Sequence, residues 1–223
     1  MVLEFFKGTS QTPIDEVRTT IARMLEDGHD VFVTASDALF GGGKSKATKR
    51  EVRATDQEIN QMQADVRRSL MIHSSVNPTD LPLVLQYASI VKDAERVGDY
   101  AKNLYDLVRY GASFADAPDE NELAGYRDAV ANLILEAASV FDAMDTERAQ
   151  ELINKADGFL SDYDAHVKAQ CQVPQESNAQ SAVSRALYYR FLKRTTAHVM
   201  NVLTSLVQPL DRLDYYDEAP EDR

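Results

Sequence analysis

Apolar residues recur along most of the chain at spacings of three and four, the mark of helices with one face turned inward. Ile14, Val17, Ile21 and Leu25 set this pattern first and predict a helix from about Pro13 to Leu39. Pro13 stands near its start, where a missing N–H does no harm. Ile59, Met62, Val66 and Leu70 predict a second helix over about Thr48–His73. The third, over about Thr79–Arg109, carries two stripes. Val84, Ala88, Val91, Ala94, Gly98, Ala101, Tyr105 and Val108 form one, and Ile90, Val97 and Leu104 the other. A helix apolar on two sides packs between neighbours, so this one is expected to be central. Ala115–Glu122 is polar, contains Pro118 and reads as a linker. Three further helices follow, over about Asn121–Ala143, Thr146–Gln170 and Ser177–Val207. The prolines fall near the ends of these segments, as expected when an interior proline costs about 3 kcal/mol.

The helix order repeats. The segment starting at Asp56 lines up with the one at Asp157, 101 residues later, and the segment starting at Glu95 with the one at Lys193, 98 residues later. The two copies share little identity, so the repeat rests on order and spacing. One three-helix unit buries a small core, and stacking two enlarges it. The expected fold is all-α: two tandem three-helix bundles, six helices in all, with units at 1–113 and 114–223 and no β-sheet.

Charge narrows the partners. The 223 residues hold 36 Asp and Glu against 24 Lys and Arg, a formal net charge of −12. That disfavours bulk binding to nucleic acid or to an anionic membrane face. A single cysteine, Cys171, excludes an intrachain disulfide and a multi-cysteine zinc site. Met1–Lys7 lacks the pattern of a secretory leader, and no run of about 18 apolar residues offers a membrane span. The expectation is a soluble, cytoplasmic protein. Four of the scarce cations, Lys44, Lys46, Lys49 and Arg50, stand together after Gly41–Gly43. Ala38–Ser45 fits a relaxed phosphate-loop pattern, but a nucleotide site of that kind needs a parallel sheet with a metal-binding aspartate, and nothing downstream reads as one. The segment reads instead as a helix–helix connection whose cations form a candidate docking patch.

The run Lys92–Leu104 carries the candidate chemistry. Glu95 and Asp99 are four apart, so their carboxylates share one helix face, an arrangement that disfavours the helix unless a cation offsets it. Gly98 between them costs up to about 1 kcal/mol relative to alanine, which fits a close approach by another backbone or an ion. Two readings are open. In one, Lys92 and Lys102 neutralise the pair as a surface charge ladder. In the other, the carboxylates are hard oxygen ligands for a divalent or trivalent metal ion (iron, Mg, Mn or Zn), with Asp56 of the second helix the first candidate for a third ligand and Asp65 and Glu58 behind it. His29, His73, His166 and His198 include no pair at metal-binding spacing. The one E-x-x-H, Glu26–His29, lacks the second copy a di-iron carboxylate site needs. His198 reads as a packed or hydrogen-bonded residue. The acidic tail Asp211–Arg223, with Asp214, Asp217, Glu218, Glu221 and Asp222, reads as solvated or as a peptide for a basic surface.

The run Asp93-Ala-Glu-Arg-Val-Gly-Asp-Tyr-Ala-Lys-Asn103 resembles the D-x-E-R-x-G-D-x-A-x-N signature of the PhoU family, which lies on the third helix of a three-helix unit that occurs twice in about 220 residues. Asp56–Asn60 is similar to the family more weakly. The resemblance implies a non-enzymatic cytoplasmic regulator that restrains phosphate transport and represses phosphate-starvation signalling, through contact with the transporter ATPase and a membrane sensor histidine kinase, as a homodimer. It also implies that Glu95 and Asp99 are metal ligands of the first unit. The second unit departs from the pattern: Lys193 replaces the glutamate, Thr196 the glycine and Ala197 the aspartate, while Arg194 and Asn201 are kept. No second metal is expected there. The rival reading is a metal-binding helical-bundle protein or an interaction module unrelated to phosphate.

Overall fold

Thr12 opens the first helix with a capping box: its side chain accepts from the Asp15 N–H while the Asp15 carboxylate reaches back to the Thr12 backbone, with Pro13 in the first turn. From there, a computed structural model of the chain, which describes residues 12–174, 179–213 and 215–217, is built from six helices. They are α1 (Pro13–Asp37), α2 (Lys46–Val76), α3 (Leu81–Arg109), α4 (Glu120–Ala143), α5 (Thr146–Cys171) and α6 (Ala179–Val207). Among the described residues there is no β-strand. The first seven residues, Asp214, Glu218, Glu221 and Asp222 lie outside the described residues.

The junctions follow local chemistry. A 3₁₀ turn at Ala38–Phe40 ends α1, and Gly41 follows at φ +108°, a left-handed value that glycine adopts without strain. Ser45 then caps α2 by accepting from the Thr48 N–H. Val31-Phe-Val-Thr, the stretch that would have fed a phosphate loop, lies inside α1. The Gly41–Gly43 segment is therefore a helix–helix connection. Asp145 caps α5 by accepting from the Arg148 N–H.

α3 packs against α1, α2 and α6, which is why both of its apolar stripes are buried. Only Ala88 of those eleven positions is exposed, where α3 has no neighbour to cover it. α1 packs on α2, α3 and α4, and α6 on α3, α4 and α5. Thus α1, α3, α4 and α6 make the middle of the molecule, with α2 and α5 on its flanks, and one buried apolar cluster runs through all six helices. Each large apolar side chain fully withdrawn from water, such as Phe32, Ile90 or Phe141, contributes about 1.5–3 kcal/mol. Phe40, Phe114 and Tyr188 meet edge-to-face with centroids 5.1–6.3 Å apart. The Phe114 N–H donates to the Leu39 carbonyl, and Asp119 beside this cluster takes both Arg185 nitrogens at 2.5 and 2.6 Å. Those contacts tie the connection before α4 to α1 and α6.

Candidate functional site

Three turns in the middle of α3 carry the motif, and its side chains divide between two sides of the helix. On the side facing α2, the structure brings Asp56 near Glu95 and Asp99, the pair expected from spacing. Lys102 Nζ bridges them: it donates to Asp56 Oδ1 at 2.9 Å and to Asp99 Oδ1 at 2.8 Å. Arg96 donates to the other Asp99 oxygen at 2.7 Å and stands 3.8 Å from Glu95. Lys92, expected to help neutralise the pair, is exposed and makes no ion pair among the described residues. Arg96 takes that role instead. Asp65 is bound to Gln61 and Arg68, and Glu58 is exposed; neither joins the cluster.

Electrostatics follow from this packing. Burial pushes the Glu95 carboxyl above its usual range, and the negative charge of Asp99 pushes it the same way, against the partial offset of Arg96. For Lys102, burial works against the charged form, but hydrogen bonds to Asp99 and Asp56 outweigh it and raise its pKa. The chemistry of three carboxylates suits a hard cation. The arrangement gives the central position to an ammonium instead, and among the described residues no three Asp, Glu, His or Cys side chains converge as a metal site.

Gly98 explains itself by packing. A Cβ there would stand 2.9 Å from Ile59 Cδ1 of α2, so the close approach is a side chain rather than a backbone or an ion. It lets α2 settle onto α3 and so brings Asp56 within reach of Lys102.

The other side of α3 faces α6, and here sequence reasoning missed the main feature. Asp93 Oδ1 accepts from His198 Nδ1 at 2.7 Å and from Asn201 Nδ2 at 3.2 Å. Arg194 Nη2 donates to His198 Nε2 at 3.1 Å, which places the ring proton on Nδ1, facing the carboxylate. Arg194 Nε also donates to Tyr100 Oη at 3.2 Å, and the Tyr100 and His198 rings stack at 5.7 Å. In the repeat alignment Tyr100 corresponds to His198, so the two third helices cross where these matching residues stack. The signal was present: Arg194 and Asn201 are the motif residues kept in the second unit, and both bind across the crossing. His198 is hydrogen-bonded and packed, as its position suggested.

In the second unit, Lys193 pairs with Asp164 of α5, while Thr196 and Ala197 are buried. His29 pairs with its neighbour Asp30, and Cys171 is exposed.

Comparison with known proteins bears on all of this. Residues 21–108 match the family model of the PhoU domain. PhoU from Pseudomonas aeruginosa superposes with a TM-score of 0.74 at 20% identity, covering 90% of this chain and 97% of that one. The phosphate transport system regulatory protein PhoU from Streptococcus pneumoniae does so with a TM-score of 0.74 at 18% identity, over 90% and 94% of the two chains. No curated protein sequence matches the chain. Residues 21–108, with the α3 motif inside them, match the PhoU domain, and the chain has the helical-bundle fold of the PhoU structures.

Proposed function

We propose that this chain regulates phosphate uptake by protein contact and performs no chemistry of its own. The observation that carries the reading is the PhoU domain match over residues 21–108, which contains the α3 motif and Asp56. The structural likeness to a phosphate transport system regulatory protein supports the same reading. In this reading the chain works in the cytoplasm as a homodimer. It restrains the transporter through its ATPase and represses starvation signalling through a membrane sensor histidine kinase. Among the described residues no helix is long and apolar enough to cross a membrane, so such contacts would be made from outside the bilayer.

The metal ion implied by the resemblance enters this reading on one condition. A divalent or trivalent ion at Asp56, Glu95 and Asp99 has to displace the Lys102 ammonium from two carboxylates and overcome the tendency of Glu95 to hold a proton. The regulatory role does not depend on that exchange.

Deleting the gene in its host and measuring phosphate uptake and a starvation-responsive reporter in phosphate-rich medium tests the reading. Raised uptake with reporter expression is expected, together with co-purification of the transporter ATPase with the tagged protein. Unchanged uptake and reporter would overturn the assignment and favour an interaction module unrelated to phosphate.

A further inference from the structure

This acidic chain leaves four cations together without carboxylate partners. Lys46 and Arg53 each stand three and four residues from the adjacent pair Lys49 and Arg50, in the first two turns of α2. Among the described residues none of them makes an ion pair. The nearest carboxylates on α2 are engaged elsewhere, Glu51 with Thr34 and Asp56 with Lys102. Like charges at these spacings oppose the helix, and cations at its amino end oppose its dipole. α1, α4 and α5 each carry at least one acidic residue in the first turn; α2, like α3 and α6, carries none. The row extends over roughly 10 Å of helix.

The face is hollowed in two adjoining places. A groove of about 90 Å³ between α2 and α3 is lined by Lys49 and Arg53 on one side and by Lys102, Tyr105, Asp106 and Arg109 on the other. Arg109 is bound to Asp106, and Lys102 to Asp56 and Asp99, so the uncompensated charge in the groove belongs to Lys49 and Arg53. A shallower basin of about 480 Å³ continues over Lys46 and Arg50 and shares Lys49 and Arg53 with the groove. Tyr105 Oη donates to the Ser45 carbonyl, which fixes the start of α2 against α3 and so holds both hollows in register.

We propose that this face binds a free oligophosphate, with a terminal phosphoryl group in the α2–α3 groove and the following groups along the row of cations. Tetrahedral, multiply charged groups linked in a line match a linear row of cations, and the arginine forks suit phosphate oxygens bidentately. The groove has room for one oxyanion. A nucleic acid or an anionic bilayer would bring an extended negative field against a chain of net charge −12, whereas a small anion meets only the local patch. The proposal does not rest on the regulatory reading, and its test uses the purified chain alone.

Calorimetric titration with inorganic tripolyphosphate at low salt is the test. One site per chain is expected, weakened at least about tenfold by the double change Lys49→Ala with Arg53→Ala, and weakened by added salt. Arg67→Ala, which removes an exposed cation elsewhere on α2, should leave binding unchanged, and circular dichroism should confirm that every variant keeps its helices. Absence of binding, equal binding by the double variant, or equal binding of citrate would overturn the proposal. Tighter binding of ATP than of tripolyphosphate would overturn the assignment to a free oligophosphate.

Discussion

Truncating Asp93 to alanine should reveal what the α3–α6 crossing contributes. Asp93 accepts two bonds, from His198 and Asn201, and both donors sit in the interior, at 8% and 3% exposure. Without the carboxylate, His198 keeps its contact with Arg194 but loses the acceptor for its Nδ1 proton. Asn201 loses more, because its Oδ1 already has no partner, so its whole side-chain amide becomes unsatisfied. Each buried polar group left unmade costs about 1–3 kcal/mol. Asp93 retains 17% side-chain exposure, so water can replace part of what is lost, and the expected total is about 2–4 kcal/mol. That is a large share of the 5–15 kcal/mol by which domains are commonly stable. Urea unfolding followed by circular dichroism measures it, with a double-mutant cycle using His198→Ala to isolate the pair. A coupling above about 1 kcal/mol is expected. A loss for Asp93→Ala below about 1 kcal/mol, or additivity within about 0.5 kcal/mol, would refute the account of a buried network joining the two units.

Three further outcomes follow from the motif's other side. Lys102→Met should leave Asp56 and Asp99 facing each other, lower stability by about 1 kcal/mol for a partly exposed pair, and create a dependence of melting temperature on millimolar Mn²⁺ stronger than that of the parent chain; equal metal responses in a thermal-shift assay would show that Lys102 does not hold the cation position. Glu95→Gln should raise stability at neutral pH and change little near pH 4: a carboxyl whose folded pKa is raised favours the fold while protonated and loses that contribution as pH rises above the usual carboxylate range, so parallel pH–stability curves for the two proteins would contradict its burial beside Asp99. Gly98→Ala should fall within about 1 kcal/mol of the parent, since the alanine gain in helix propensity offsets displacement of the flexible Ile59 tip, and a loss of several kcal/mol on urea unfolding would mean that the site needs a bare backbone.

Most of the fold was legible because its helices are long and periodic, and each boundary carries its own chemistry. Thr12, Ser45 and Asp145 are caps, and Gly41 takes the left-handed turn. The double stripe on α3 pointed to a helix packed on two sides, and it lies between α1, α2 and α6. The second central helix was harder to see. Thr195, Thr196, Asn201, Thr204 and Ser205 are all buried on α6, so its inward face reads as polar. Thr204 and Ser205 satisfy their hydroxyls on the helix's own carbonyls, at Met200 and Val202, which lets such residues go inside without a tertiary partner that a sequence pattern could announce.

The candidate site divides along the same line. Spacing within one helix brought Glu95 and Asp99 onto one face, and Asp56 stands across the groove within reach of Lys102, where Ile59 packs against Gly98. What spacing could not settle was the source of the compensating charge. Lysines stand near the pair on both sides in sequence, and only the position of α2 selects Lys102, which alone reaches a carboxylate on each helix. The role of Asp93 was hidden for a related reason. Its partners lie more than a hundred residues away on a helix whose own copy of the motif has lost its acids. Arg194 and Asn201 both make their contacts at the crossing with α3. In the second unit the motif now serves the joint between the two bundles, and the acidic face remains with the first.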